Sequence, residues 1–597
     1  MGIRKKKIFF ILFSLIFWAF FLNLGKLAVM FKNEIMSVNV ISKEELDHII
    51  ANKKAADWEG TVKYDEHPVA YDIQSHILYI PQTIEGQWWE GKLEADYGKL
   101  YFCDDSYLRN KENAMSEGHA FKLYQVSGQE YTEYQVVFTG MPVMSLFVEQ
   151  VEREDEVEIM HGIVQVCDQY HTSTRFQSEE CAFRIRGGSS RWYEKKGYKL
   201  ELENRDLSFL GMRKDDDWIL NALYDDAGLI HNKVSARVWE EIVSGGNVKS
   251  SKGAGMEYVE LFLNNEYQGV YALTERVDKK ELSLNKNDVL YKCRAYRIPE
   301  EHNYSNEDTD EMRPVFILKY PKDYEESDWE PIKTWVDYYV KGGLMSFQEG
   351  ADLLNMENTL DYNLFCMLIN GTDNLRKNIF FLAEYENDGT YQFVKIPWDL
   401  NATWGNPWID REECNYTLYD PDSYNNVSAW ASDASALYYM DNETVAWLMR
   451  ERWDELRSKG IISKEKICKI LDEQFGYLHA SGAYERNYNR WQSGTEYWQD
   501  NYIYEYVTKR IDFLDQYFDQ LYEDVTSPQV YNGIDYSEEF DARYYWEENR
   551  NTLKELYSYD AGTLLEHYVL YGKPFGLKGT YDGGEFPEVF EESDDAG

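Results

Sequence analysis

A chain of 597 residues has room for several domains, each with a well-buried core. Its formal net charge of −44 repels nucleic acid and anionic lipid head groups, so no nucleic-acid partner is expected; it suits a soluble, salt-exposed body, and either solubility alone or attraction of basic substrates would account for it. With 49 Tyr, 18 Trp and 28 Phe the chain is not a disordered acidic protein.

Arg4, Lys5, Lys6 and Lys7 precede the apolar stretch Ile8–Gly25, interrupted only by Ser14 and Asn23. Basic residues favour the cytoplasmic side, and the stretch is near the lower length limit for a membrane span. No A-x-A-like cleavage site follows in Leu24-Gly25-Lys26-Leu27-Ala28, which favours an uncleaved signal anchor over a cleaved signal peptide. Residues 1–31 are therefore expected to be a cytoplasmic basic end and transmembrane helix. The protein would be single-pass in the cell membrane, with its main body extracytoplasmic. A juxtamembrane segment over 32–66 should hold a short helix within Ile41–Lys54, with Ser42 as cap and Glu45 three residues on. Residues 67–180 read as a β-rich accessory region, with runs such as Ile77–Ile80, Tyr134–Phe138 and Ile163–Val166 between turn residues. Seven widely spaced cysteines without C-x-x-C point to buried thiols rather than a zinc site or a disulfide framework.

The character changes at Phe183. Phe183–Arg186 is a strand entering the small-residue turn Gly187-Gly188-Ser189-Ser190, and Tyr198–Leu202 is a return strand with alternating faces that carries Lys199. Protein kinases cover the ATP phosphates with such a loop and reach them with a strand lysine. An ordinary polar turn and a surface lysine would leave the same pattern. Leu229–Ile242 has helical spacing and carries Glu240 and Glu241, either a partner for Lys199 or a solvated face. Glu257–Leu263 and Gln268–Leu273 flank Asn264-Asn265, a hairpin signal. Thr274–Asp278, with Glu275, then leaves the sheet where a kinase places its hinge. Asn285–Glu330 is charged, holds Pro299, Pro314 and Pro321, and reads as a loop-rich insertion.

Leu360–Asn370 is an apolar helix that delivers Asp373, and Asn378–Ala383 and Phe393–Ile396 are strands. Asp373 and Asn378 have the D-x-x-x-x-N spacing of a kinase catalytic loop, and Asp399 follows 21 residues after Asn378. Phosphoryl transfer needs a carboxylate to accept the hydroxyl proton and hard oxygens to hold Mg²⁺ on the phosphates, which makes Asp373 the base and Asn378 and Asp399 the metal ligands. Val445–Leu521 is helical and rich in Arg and Trp, and reads as a packing lobe.

Several ordered segments carry a family resemblance. They are Arg184–Arg191, Tyr198-Lys199-Leu200, Leu210-Gly211-Met212 with Asp217-Trp218, Ile230–Lys233, the hairpin Val259–Glu275, Asn370–Asn378 and Pro397–Leu400. In this order the chain resembles the spore-coat protein H (CotH) kinase family over roughly Phe183–Tyr522. The resemblance implies an α+β, atypical protein-kinase-like two-lobed domain over 181–525 that uses ATP with Mg²⁺ or Mn²⁺ on Ser/Thr of a secreted or cell-surface protein. It implies that Asp373 is catalytic, that Asn378 and Asp399 bind metal, and that Lys199, Gly187, Gly188, Ser189 and Glu275 face the nucleotide. Where many relatives read W-D-L-D, this chain has Asn401, which keeps an oxygen but loses a charge. Phe540–Tyr545 and Leu564–Gly572 resemble a short helical repeat of bacterial surface proteins, placing a small module at 526–582 before an acidic, disordered tail at 583–597. The competing reading is a surface-binding or structural protein on a kinase-like scaffold without catalysis, since fold does not fix function.

Overall fold

The computed structural model describes residues 39–56, 61–64, 66–84, 93–102, 120–154, 157–244, 253–295, 304, 314–340, 346–406, 431–491, 501–526, 529–553 and 561–580. The expected membrane anchor and acidic tail lie outside them. Among the described residues no helix is long and apolar enough to cross a membrane. The architecture is mixed α+β and divides into two compact units. The first takes the described residues up to Tyr224, Met256–Glu275 and those between 473 and 491; the second takes the rest.

The first unit opens with the predicted juxtamembrane helix, Lys43–Ile50, closed by a capping box in which Ser42 accepts from the Glu45 N–H. A seven-stranded sheet follows, in which Ile77–Pro81 runs parallel to Gln135–Thr139. Beyond it lies a closed barrel of β1 (Val143–Glu154), β2 (Val157–Cys167), β3 (Phe176–Arg186), β4 (Gly197–Leu202), β5 (Asp217–Asn221), β6 (Met256–Leu263) and β7 (Glu266–Glu275). Its order is β1-β2-β3-β4-β5-β7-β6, and β6 returns parallel to β1 to close the ring. Closure bends β1 at a bulge between Val148 and Gln150, opposite Gly162, where a Cβ would stand 1.8 Å from the Phe147 carbonyl oxygen.

Two expectations change here. The β-rich region was expected to end at 180, yet that boundary falls inside β3, and β1 and β2 close one barrel with β4 to β7. A one-face strand pattern shows burial but not which other strands provide it. The helical stretch Val445–Leu521 was expected to be one packing lobe; its helix Ala483–Trp491 belongs to the barrel unit, while the helical residues before 473 and after 494 belong to the second. Arg486 forms a bidentate pair with the fully buried Glu260 of β6, at 2.8 and 2.9 Å.

The second unit holds helix α1 (His231–Val243) and a sheet in the order β9-β8-β10-β11, made of β8 (Val289–Cys293), β9 (Phe316–Tyr320), β10 (Ile379–Tyr385) and β11 (Tyr391–Pro397). β8 and β9 fall inside the expected loop-rich insertion. Both are short apolar runs between charged segments; β8 is protected by pairing with distant β10, and β9 by pairing with β8. Helix α2 (Met356–Ile369) is buried along nearly its whole length, its polar Asn358, Thr359, Asp361 and Asn363 included. Its C-terminal carbonyls are met by Arg510, wholly buried, whose Nε and Nη2 donate to the Met367 oxygen at 2.8 and 2.5 Å. Residues 529–580 have a small aromatic core of their own around Phe540, Tyr545 and Tyr568.

Candidate active site

Helix α2 stops at Asn370, which takes a left-handed conformation (φ 51°), and Gly371 leads into a tight turn over Thr372–Leu375. Asp373 and Asn374 are both buried in that turn. The chain then enters β10 directly after Asn378. The antiparallel hairpin β10–β11 pairs Ile379 with Pro397, so the residues just outside it, Asn378 and Trp398, face each other; the Trp398 N–H donates to the Asn378 oxygen at 2.9 Å. The 21-residue spacing from Asn378 to Asp399 is the length of this hairpin and its two ends. Asn378 (φ 56°) and Asp399 (φ 58°) both sit in the left-handed region, which Asn and Asp enter more readily than most residues. The structure thus brings Asp373, Asn378 and Asp399 to one end of one hairpin.

The local electrostatics of Asp373 are set by its burial and by two charged neighbours. Burial pushes the Asp373 carboxyl above the usual carboxylate range; Lys377 opposes that shift, and the Asp399 charge adds to it. Lys377 Nζ stands 2.7 Å from Asp373 Oδ2. Sequence reading passed over Lys377, although its position four residues after the acid was visible. It also missed the asparagine frame. Asn232, on α1, accepts from the Leu400 N–H at 2.8 Å and so holds the residue after Asp399. Asn401 turns its amide to Asp225 (2.6 Å), and Asn406 donates to the Asn401 oxygen (2.8 Å). An Asp at 401 would set two carboxylates against each other there.

The remaining predicted residues belong to the other unit. Gly187 follows β3 with φ 123°, and a Cβ there would lie 2.1 Å from Ser190 Oγ; at Gly188 a Cβ would meet nothing within 4 Å. Ser189 opens a single helical turn to Trp192, whose side chain is 82 % exposed. Lys199 lies on the outer face of β4, since Tyr198 and Leu200 fill the barrel. It pairs with Glu201 and, at 3.6 Å, with Asp217. The helix glutamates considered for it are engaged elsewhere: Glu240 with Arg237, and Glu241 with Lys466 at 2.6 Å. Glu275 ends β7 and accepts from the Arg213 N–H at 3.0 Å. The chain passes to the second unit directly after it, at Arg276.

Two observations test whether a divalent cation suits these residues. The charge of the exposed Asp399 disfavours ionisation of the buried Asp373, and a cation relieves that conflict. The donors are hard oxygens, the set that Mg²⁺ and Mn²⁺ take. Among the described residues no three His, Cys, Asp or Glu side chains form a cage of their own. Mg²⁺ bound with a nucleotide needs none, because one or two carboxylates and the phosphates complete its shell.

Comparison with known proteins agrees with the segment order. The family model described as CotH kinase protein matches residues 183–514, more than half of the chain. No curated protein matches it. The chain belongs to the CotH kinase family.

Proposed function

We propose that this CotH kinase family member is a membrane-anchored, extracytoplasmic kinase that transfers the γ-phosphoryl of ATP to Ser or Thr of a secreted or cell-surface protein. The observation that carries the reading is the convergence of Asp373, Asn378 and Asp399 at one end of the β10–β11 hairpin. Asp373 takes the proton of the acceptor hydroxyl as its oxygen forms a bond to the γ-phosphorus and the bond to the ADP oxygen breaks. Lys377 fixes the Asp373 carboxylate and balances its charge. The Asp399 carboxylate and the Asn378 amide oxygen would hold Mg²⁺ or Mn²⁺, which supplies charge neutralisation on the phosphates. Lys199 and the backbone of Gly187, Gly188 and Ser189 are assigned to the phosphates, because a glycine turn lets N–H groups approach an anion closely. Glu275 is assigned to the nucleotide on the family resemblance alone.

The test is transfer of labelled γ-phosphate by the full-length chain in detergent, with Mn²⁺ or Mg²⁺ and a Ser-rich basic acceptor. Incorporation that disappears in Asp373→Ala supports the kinase. No incorporation together with no ATP-dependent thermal shift overturns it in favour of a binding scaffold.

A further inference from the structure

Asn374 follows the catalytic aspartate directly, is fully buried, and is assigned no role by the chemistry above. Its single Nδ2 donates to two backbone oxygens, that of Asn378 at 3.3 Å and that of Trp398 at 2.8 Å. The first belongs to one assigned metal ligand, and the second precedes the other. Asn374 is itself held firmly. Its N–H donates to the Gly371 oxygen at 3.0 Å, and its own carbonyl accepts from the buried Tyr362 hydroxyl at 2.7 Å. Two carbonyls fix which way its amide points, because a flip would set oxygen against oxygen. The other end of the amide, Oδ1, is buried and meets no hydrogen-bond donor among the described residues. A buried acceptor left unmet is unfavourable, so the orientation is retained for what Nδ2 does.

We propose that Asn374 is a positioning residue that couples the catalytic turn to both metal-bearing segments. The Trp398 N–H already joins Asn378 to the Asp399 segment, backbone to backbone. Asn374 adds the third corner, so that Asp373 is registered against Asn378 and Asp399 by one rigid amide. The inference rests on the metal reading given above. It predicts that removing the amide lowers metal affinity even though Asn374 is not a ligand, as for groups that orient ligands.

Asn358 supplies the comparison. It is equally buried, and its amide also clamps backbone, exchanging bonds with Lys395 N–H (2.7 Å) and Lys395 oxygen (3.0 Å) in the middle of β11, away from the ligands. The experiment is thermal unfolding of the full-length chain with saturating ADP across a Mn²⁺ titration, for wild type, Asn374→Ala, Asn374→Ser and Asn358→Ala. The serine variant removes less volume and keeps the measurement readable if the alanine variant does not fold. All variants should melt below wild type without metal. The Mn²⁺ concentration giving half the stabilisation should rise about tenfold or more in the Asn374 variants, and stay at the wild-type value in Asn358→Ala. A wild-type midpoint in a cooperatively folding Asn374 variant overturns the inference and leaves the metal reading standing. A wild type that does not respond to Mn²⁺ overturns the metal reading and the inference with it.

Discussion

At the residue scale the site is a problem of charge in a confined place. Burial chiefly raises the Asp373 carboxyl, the Asp399 charge adds to it, and Lys377 opposes both. Asp399→Ala should therefore leave the fold intact, abolish phosphoryl transfer and remove the Mn²⁺-dependent rise in melting temperature. Retained stabilisation by Mn²⁺ would sink the ligand assignment. The cysteines make a separate prediction. Burial pushes the thiols of Cys181, Cys293 and Cys366 up to about 12. At pH 8 their thiolate fraction is negligible, and the thiolate is the nucleophile. Iodoacetamide should modify these three only after denaturation, which peptide mass mapping would show.

At the element scale, local sequence set most of the turns. Asn264 and Asn265 both take positive φ, 49° and 63°, which a two-residue hairpin of this twist requires. The Ser42–Glu45 pair fixed the start of its helix for an equally local reason. The Gly187-Gly188 turn is divided: only Gly187 needs to be glycine. Gly187→Ala should cost about 1–3 kcal/mol through backbone strain and, in the kinase reading, raise the KM for ATP. Gly188→Ala should be close to neutral in stability. Equal losses at both positions, measured by chemical denaturation and ATP kinetics, would contradict this account. Elements whose partners are distant were the ones misread. Val289–Cys293 became a central strand only because β9 and β10 flank it.

At the scale of the whole molecule, distant segments complete each unit. Arg486 crosses from a late helix to Glu260 in the barrel and also donates to Thr139 at 2.7 Å. Arg486→Ala leaves a buried carboxylate without its partner and should lower unfolding stability by about 3–5 kcal/mol. Replacing both members, Arg486→Met with Glu260→Leu, should recover much of that loss, since a buried apolar pair avoids desolvating charge. Urea denaturation of the single and double variants checks both statements, and a double variant no better than the single would refute the charge argument.

The sequence by itself determined what is local or ordered along the chain: the α+β class, the order of segments that marks the CotH kinase family, the hairpin across Asn264-Asn265, and the spacing of Asp373, Asn378 and Asp399. Chemistry that depends on residue type and spacing is legible in one dimension. Only the tertiary structure decided that strands 143–167 close a barrel with strands up to 275, that Lys199 pairs with Glu201 and Asp217, and that Asn374, Asn232 and Asp225 frame the Asp399 segment. Apart from the Lys199–Glu201 pair, these rest on contacts between residues far apart in sequence, where hydrogen bonds and burial are set by packing rather than by neighbours along the chain.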